Sequence, residues 1–339
     1  MARLFFDSDA NLTCLANRTV GILGYGNQGQ AQALNLRDSG VRVIIGNQED
    51  AFARQAREDG FAVYPIPEAA QQADILFLLV PDEIMPKIYR QQVEPHLRPQ
   101  MVLNFASGYN ITFGFIVPPP DVDVTLLAPR MIGKGVRETY LRGSGFPSLI
   151  AVHQDASGKA LETVLALAKG IGSTRVGVAL TTFAEETTVD LFSEQSGDLY
   201  FPRLMFEVLV EAGCDPDVVL LELYASGELS EMYAAARDMG LWGQLRLHSR
   251  TSQYGQQITS LKFVDHEAIR NQLRKVVQHI QSGGFSREWA EEQERGFVNL
   301  IRVTNVNLQH PMQVAENRLY RLLGRRTEDL VSADWLEDV

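Results

Sequence analysis

The chain has 339 residues, 45 % of them hydrophobic and 22 % charged, which is the composition of a globular protein and excludes a disordered or fibrous one. Its 31 basic and 42 acidic residues give a formal charge of −11, which argues against a nucleic-acid binder. Because the apolar runs are far shorter than the roughly 20 residues of a membrane-spanning helix, and the only cysteines are Cys14 and Cys214, we expect a cytoplasmic protein with no membrane span and no disulfide framework.

The first half of the chain alternates short β-rich runs with helical stretches. Strands are predicted at Thr19–Leu23, Val41–Ile45, Ile75–Leu79, Met101–Asn104, Val124–Leu127, Ser148–Val152 and Thr174–Val178. Helices are predicted at Gln30–Asp38, Ala51–Asp59, Asp82–Gln91 and Gly158–Gly170. This alternation is typical of an α/β protein with a mostly parallel, doubly wound sheet of the Rossmann type. We assign residues 1–182 to this domain.

The second half has apolar residues at helical spacing and no further β-rich runs. The predicted helical segments are Phe183–Ala212, Asp217–Met239, His266–Gln281 and Ser286–Asn299. We therefore predict an all-helical domain at residues 183–328, followed by a polar tail at residues 329–339.

A glycine-rich motif, Gly24-Tyr-Gly26-Asn-Gln-Gly29, ends the first predicted strand and opens the first helix. Gly24 permits a tight turn, Gly26 lets the backbone approach a pyrophosphate, and Gly29 allows close packing of helix on strand. The N-terminus of the helix faces the phosphates. A glycine turn without a ligand is the alternative, but the strand–turn–helix context favours a dinucleotide site.

The end of the second predicted strand bears on the choice of cofactor. It is followed by Asn47, Gln48, Glu49 and Asp50. A carboxylate here accepts a hydrogen bond from a ribose 2′-hydroxyl and repels a 2′-phosphate, so the two acids predict a preference for NADH over NADPH. Their alternative role is to charge the first turn of the next helix, and Arg54, one turn on, could turn toward a phosphate.

Two acids at the domain junction, Asp190 and Glu194, stand four residues apart in a predicted helix and so share one face. Mg²⁺ takes oxygen ligands from such carboxylates together with water. A solvated acidic face is the alternative, and spacing alone favours it.

Six motifs occur along the chain in one order: Gly24–Gly29, Leu79-Val-Pro-Asp-Glu83, Leu127-Ala-Pro-Arg130, Glu186–Gln195, Phe206–Gly213 and His310-Pro311. In this order the sequence resembles the short-form ketol-acid reductoisomerases of branched-chain amino-acid synthesis, over nearly the whole chain to about Leu323. The segment Asp-Leu-Phe-x-Glu-Gln is the most specific of these motifs, whereas the glycine motif is generic.

The resemblance implies an enzyme that uses Mg²⁺ for an alkyl migration on an acetohydroxy acid and then reduces the resulting 2-keto acid with NAD(P)H. It implies that Asp190 and Glu194 are metal ligands. It also implies at least a homodimer, whose site lies between the Rossmann domain of one chain and helices of the second. The implied cofactor contacts are Gly24, Tyr25, Gly26, Asn27, Gln28, Gly29, Asn47, Pro81 and Gly108.

Two residues depart from the family pattern at the expected site. Ser107 stands where family members have a histidine, and a hydroxyl does not titrate near neutral pH. Arg130 stands where members have a lysine, and a guanidinium does not shuttle protons. We expect both side chains to line the pocket and to orient the substrate.

The helical half also departs from the pattern. The family has two metal-binding glutamates four residues apart; Glu222 matches the first, Ser226 stands at the second place, and Glu228 follows after an insertion. Six residues turn a regular helix by about 600°, so Glu222 and Glu228 share a face only if Gly227 allows a bulge or break. Ser249 matches the serine that binds substrate in the family.

Three functions remain open on the sequence. The first is a working ketol-acid reductoisomerase. The second is a specialised member that only reduces a small keto acid or a related C=O or C=N compound with NADH, because the expected proton-relay groups are replaced. The third is a noncatalytic nucleotide-binding or scaffold protein, which would not need Mg²⁺ at Asp190 and Glu194.

Overall fold

The structure, a computed structural model, describes residues 2–197 and 199–333. The chain forms two compact units, of which the first ends at Asp190 and the second begins at Leu191. This division lies inside the helix Phe183–Gln195, whereas the sequence placed the domain boundary before that helix. The last six residues of the predicted polar tail lie outside the described part of the chain.

The described part of the first unit is built on one nine-stranded sheet. Its strands are β1 (Leu4–Phe5), β2 (Thr19–Leu23), β3 (Arg42–Gly46), β4 (Val63–Tyr64), β5 (Ile75–Leu78), β6 (Val102–Phe105), β7 (Asp123–Pro129), β8 (Ser148–Gln154) and β9 (Val178–Leu180). Their order in the sheet is β1-β9-β8-β7-β6-β5-β2-β3-β4. Neighbouring strands run parallel except for β1 with β9 and β7 with β8. The predicted mostly parallel sheet is confirmed.

Helices cover both faces of this sheet. They are α1 (Asn27–Asp38), α2 (Ala51–Glu58), α3 (Ile66–Gln72), α4 (Met85–Ile88), α5 (Tyr109–Thr112), α6 (Gly133–Leu141) and α7 (Ala160–Ile171), and α8 (Phe183–Gln195) follows β9. Successive side chains of a strand point to opposite faces. On β5, Ile75 and Phe77 join a cluster that includes residues of α1 and α7, whereas Leu76 and Leu78 join a second cluster with α3. Burial on both faces explains why the strands are continuously apolar.

One predicted strand, Thr174–Val178, is wrong. Residues Ser173–Arg175 form a 3-10 turn after α7, and the strand is β9, which begins only at Val178. The hydroxyl of Ser173 is 2.7 Å from that of Ser148, and Thr174 donates to the carboxylate of Asp7. Such side-chain hydrogen bonds compete with a strand ladder, and the hydrophobic pattern does not reveal them.

The second unit is helical, and its described residues contain no strand. Its helices are α9 (Tyr200–Glu211), α10 (Pro216–Leu220), α11 (Glu228–Met239), α12 (Arg250–Tyr254), α13 (Ser260–Phe263), α14 (His266–Gln281), α15 (Gly284–Glu294), α16 (Val298–Leu308) and α17 (Pro311–Leu322). Phe206 of α9, Leu220 of α10 and Leu319 of α17 pack into a small buried cluster. No helix in the described part of the chain is long and apolar enough to cross a membrane.

Three helical segments predicted as continuous are interrupted, so those predictions are wrong in extent. The segments are Phe183–Ala212, Asp217–Met239 and Ser286–Asn299. Gly197, Gly227 and Gly296 lie at the breaks with φ of +102°, +92° and +72°. Positive φ ends a right-handed helix, and glycine adopts it without steric cost. The prediction of α14 is confirmed with the same bounds.

Candidate functional site

The glycine-rich motif lies at the carboxyl end of β2, directly before α1. Gly24 has a φ of +95°, and a Cβ there would lie 2.8 Å from the carbonyl oxygen of Leu79. A Cβ on Gly29 would lie 2.1 Å from the carbonyl oxygen of Gly24. A Cβ on Gly26 would meet no atom within 4 Å. The fold therefore requires glycine at positions 24 and 29, but not at position 26.

The open space beside Gly26 fits the pyrophosphate of a dinucleotide. Gly26 is the N-cap of α1 and offers no side chain to its first-turn N–H groups. Uncapped N–H groups and the helix dipole attract an anion. The residues thus fit the implied cofactor, whose phosphates the backbone at Gly26 and the N-terminus of α1 would hold.

In the loop after β3, hydrogen bonds and an ion pair hold the side chains of Asp50 and Glu49 in place. Asp50 is the N-cap of α2, where its Oδ1 accepts from the N–H of Ala53 and from Nδ2 of Asn47, each at 2.9 Å. Asn47 in turn accepts from the N–H of Tyr25 at 3.3 Å. The exposed Glu49 forms a two-pronged ion pair with Arg57, at 2.8 and 2.7 Å. Asp50 therefore has the role at the start of α2 that the sequence left open as an alternative. Its hydrogen bonds also hold its carboxylate close to the glycine-rich motif.

The other side chains of the motif have structural partners. The ring of Tyr25 is buried, and its hydroxyl donates to Asp59 at 2.8 Å, so only its backbone is available to a cofactor. Nε2 of Gln28 donates to the carbonyl oxygen of Met131 at 2.9 Å. Asn27, at the start of α1, and Pro81, after β5, are exposed.

Ser107 lies after β6 and contacts an acid that follows β5. Its hydroxyl donates to the carboxylate of Asp82, and Nδ2 of Asn110 donates to Oδ1 of the same group at 3.0 Å. Burial, reinforced by the charge of Glu83, raises the pKa of Asp82 to about 6, although these two hydrogen bonds act in the opposite direction. The position at which the resemblance predicted a histidine thus carries a hydroxyl bonded to a carboxyl group.

Arg130 follows the last residue of β7 and links two acids of α8. Its Nη2 donates to Oε1 of Glu186 at 2.9 Å, and its Nη1 donates to Oδ1 of Asp190 at 2.6 Å. Its Nε is buried and has no hydrogen-bond partner among the described residues. We call Arg130, Glu186 and Asp190 the arginine–carboxylate cluster.

Glu186 is the buried member of this cluster. Its side chain has no exposed surface, and its Oε2 accepts from the backbone N–H of Gly108 at 2.7 Å. Burial raises the pKa of Glu186 to about 7, a change that Gly108 and Arg130 oppose and the charge of Asp190 reinforces. Gly108, which the sequence assigned to the cofactor, therefore also holds helix α8 in place. A Cβ on it would lie 2.6 Å from the carbonyl oxygen of Phe183.

Asp190 and Glu194 lie four residues apart on α8, so one helical face carries both. Asp190 is partly exposed and Glu194 is exposed. Two carboxylates so placed suit Mg²⁺, so the chemistry of the donors fits the implied metal. Within residues 2–197 and 199–333, no group of three or more Asp, Glu, His or Cys side chains is arranged to hold a metal ion.

The candidate residues of the helical unit are exposed. Glu222 lies in a π-helical turn, Leu221–Ala225, and Glu228 is the first residue of α11. Gly227 separates them with a φ of +92°, so the break that the sequence left open at this glycine is present. Ser249 is the N-cap of α12, where its Oγ accepts from the N–H of Ser252 at 3.2 Å. Ser249 therefore has a structural role whether or not it binds a substrate.

Sequence reasoning missed Asp82 and Glu186 as site residues. Both stood in quoted motifs, and each had a usable signal. Asp82 follows a buried strand at the sheet edge where the glycine motif lies, and Glu186 stands one helical turn before Asp190. Neither signal reveals which groups these acids contact.

Comparison with known proteins gives consistent matches along the chain. Residues 14–177 match the family described as acetohydroxy acid isomeroreductase, NADPH-binding domain, and residues 183–324 match the ketol-acid reductoisomerase C-terminal domain. The chain is 42 % identical over 328 residues to the ketol-acid reductoisomerase (NADP(+)) of Pyrobaculum neutrophilum, covering 95 % of this chain and 99 % of that one. It is also 42 % identical over 329 residues to the protein of the same name from Methanopyrus kandleri, covering 96 % and 99 %.

Among solved structures, the chain is similar to an NADH-preferring ketol-acid reductoisomerase from an uncultured archaeon. The TM-score is 0.89 at 34 % sequence identity, and the match covers 94 % of this chain and 99 % of that one.

Proposed function

The chain belongs to the ketol-acid reductoisomerase family, and we propose that it performs both the isomerisation and the reduction with NADH as its preferred cofactor. It is an NAD(P)H-dependent oxidoreductase of this type acting on a small molecule, and the family generally uses NADPH and Mg²⁺. The observation that carries the proposal is the arginine–carboxylate cluster, which lies in the same unit as the glycine-rich motif.

In this proposal the bound cofactor supplies a hydride and Mg²⁺ polarises the substrate carbonyl. The backbone at Gly26 and the N-terminus of α1 hold the phosphates of the cofactor. Asp190 and Glu194 hold the metal. Ser107 and Arg130 orient the substrate by hydrogen bonding, and they are themselves positioned by Asp82 and Glu186.

The preference for NADH is supported by the position of a carboxylate in the loop after β3. Asp50 is held by α2 and Asn47, whereas the neighbouring Glu49 is paired with Arg57, so a 2′-phosphate there would meet the carboxylate of Asp50. The similar archaeal structure is described as NADH-preferring, whereas the two relatives named above carry NADP(+) in their names.

The double variant Glu49→Arg, Asp50→Ser should shift the ratio of NADH to NADPH activity toward NADPH by at least tenfold. The matched control is Glu58→Arg, an exposed charge change at the other end of α2. An unchanged ratio in the double variant would overturn the cofactor assignment.

A homodimer with shared sites is supported by the surface of the helical unit. Leu199, Tyr233, Trp242 and Phe263 are all more than 60 % exposed, and a second copy of the chain would cover such apolar side chains. In such a dimer, Glu222, Glu228 and Ser249 of a second copy would complete the metal and substrate contacts.

Co-expression of Asp190→Asn and Ser249→Ala chains tests the shared site. Each variant alone should be inactive or nearly so. Mixed dimers contain one site with both residues intact, so about half of the normal activity per mixed dimer should return. No recovery in mixed dimers that are shown to form would contradict a site shared between chains.

The reaction itself is tested by following NADH oxidation with Mg²⁺ on two substrates. 2-Acetolactate requires isomerisation and reduction, whereas 3-hydroxy-3-methyl-2-oxobutyrate requires reduction only. We expect turnover of both. Turnover of the second substrate alone would mean that Ser107 and Arg130 do not support the isomerisation. The cytoplasmic location expected from the cysteine content stays a prediction.

A further inference from the structure

We propose that Arg130 competes with Mg²⁺ for Asp190, so that this residue sets the metal affinity of the site. The inference rests on the proposed function, because it takes Asp190 as a metal ligand. It concerns the guanidinium of this chain, which stands where the family has an ammonium group.

The geometry of the arginine–carboxylate cluster carries the inference. Glu186 and Asp190 stand one helical turn apart on α8, and the two terminal nitrogens of Arg130 reach one acid each, at 2.9 and 2.6 Å. The guanidinium therefore bridges the two carboxylates across one turn of α8. Oδ1 of Asp190 accepts the hydrogen bond from Nη1–H of Arg130, so a cation that binds this oxygen has to displace that hydrogen bond or share the oxygen with it.

Burial of Glu186 fixes the guanidinium in this position. The Glu186 side chain is fully buried, and its second oxygen is already bonded to the N–H of Gly108. A buried carboxylate that loses its ion-pair partner is strongly destabilised. Arg130 cannot become neutral, and its planar fork holds Nη1 at a set distance from Nη2. The contact with Asp190 is thus imposed by the contact with Glu186.

A lysine at position 130 would act differently. Its single ammonium carries the same charge, but its three donors radiate from one nitrogen. It can neutralise Glu186 without also spanning the helical turn to Oδ1 of Asp190. Replacing Arg130 by lysine should therefore leave the net charge of the site unchanged and release Asp190 toward the metal.

The test is isothermal titration calorimetry of the full-length protein with MgCl₂, without cofactor or substrate. Arg130→Lys should bind Mg²⁺ about tenfold more tightly than the wild type. The matched control is Arg137→Lys. The guanidinium of Arg137 also binds two side chains, Asn35 at 2.8 Å and Asp38 at 2.6 Å, but it does not contact Asp190. The control variant should bind Mg²⁺ as the wild type does.

Two comparisons keep the outcomes distinct. If Asp190→Asn binds Mg²⁺ as tightly as the wild type, Asp190 is not a ligand and the metal assignment of the proposed function is wrong. If Asp190→Asn loses binding but Arg130→Lys has the wild-type affinity, the metal assignment stands and the competition is refuted. Should the lysine variant not fold, as judged by circular dichroism, the double variant Arg130→Gln, Glu186→Gln replaces it, because it removes both charges of the buried pair together and keeps the net charge of the site; tighter Mg²⁺ binding is again expected.

Discussion

The backbone N–H of Gly108 donates to Oε2 of Glu186 over 2.7 Å, and this bond joins the loop after β6 to helix α8. The loop carries Ser107 and the helix carries Asp190, so one buried carboxylate links two proposed parts of the site. Its other oxygen is bonded to Arg130. We therefore interpret Glu186 as a positioning residue. Its two hydrogen bonds hold the loop after β6 and Arg130 against helix α8.

Glu186→Ala should lower the free energy of unfolding by about 2–4 kcal/mol, because it leaves the Gly108 N–H unsatisfied and opens a cavity. Glu186→Gln should cost less, because no cavity opens and the amide oxygen can still accept from Gly108, although the amide NH2 group then faces Nη2 of Arg130. Chemical denaturation of the two variants measures this difference. Equal losses would mean that the hydrogen bond to Gly108 contributes little to stability.

Substitutions at two glycines of the glycine-rich motif should separate effects on folding from effects on cofactor binding. Gly26→Ala should unfold like the wild type, because the added methyl meets no atom within 4 Å, yet it should weaken NADH binding at least tenfold by filling the phosphate space. Gly29→Ala should destabilise the protein by about 1–3 kcal/mol, because its Cβ would lie 2.1 Å from the oxygen of Gly24. Thermal unfolding and fluorescence titration with NADH distinguish the two effects. Normal NADH binding by Gly26→Ala would remove the main structural support for the cofactor site.

A second close approach places α6 against the start of α1. A Cβ on Gly133 would lie 2.0 Å from the backbone oxygen of Asn27. Gly133→Ala should therefore displace the backbone of the glycine-rich motif and raise the KM for NADH several-fold. Gly135→Ala on the same helix is the control, because its Cβ would approach closely a flexible side chain, that of Met131 at 2.5 Å, and no backbone atom. If both variants keep the wild-type KM, the packing of α6 does not position the cofactor loop.

The pKa of Asp82, raised to about 6, predicts a pH dependence of stability. Between about pH 4 and 6 the unfolded chain loses this proton while the folded chain keeps it, so ionisation favours unfolding as the pH rises. Relative to Asp82→Asn, the wild type should lose on the order of 2–3 kcal/mol across this window and level off above it. The amide oxygen of asparagine can still accept from Nδ2 of Asn110.

This difference is measured by thermal unfolding of both proteins from pH 4 to 7 without divalent cations. Asp121→Asn serves as the control, because Asp121 is exposed and takes no part in the Asp82 cluster. It should follow the wild-type profile throughout. Parallel profiles for wild type and Asp82→Asn would show that Asp82 ionises alike in the folded and unfolded chain.

Much of the fold could be predicted from local sequence. The apolar runs of β2 and β5 predicted buried parallel strands, and α14 was predicted with its observed bounds, because hydrophobic periodicity is set by neighbouring residues. The start of β9 was misplaced because hydroxyl groups of Ser173 and Thr174 find partners far away in the chain. The breaks at Gly197 and Gly227 were underestimated, because apolar spacing continues across a glycine whose φ is positive.

The sequence by itself determined the α/β order of the first unit, the helical second unit, the fingerprint at Gly24–Gly29 and the family. All of these depend on patterns within short segments. Only the tertiary structure decided that Arg130 pairs with Glu186, 56 residues away, and that Gly108 binds the same carboxylate, 78 residues away. These contacts depend on which strand ends the fold brings beside α8. They persist because a carboxylate without exposed surface must be neutralised and hydrogen-bonded.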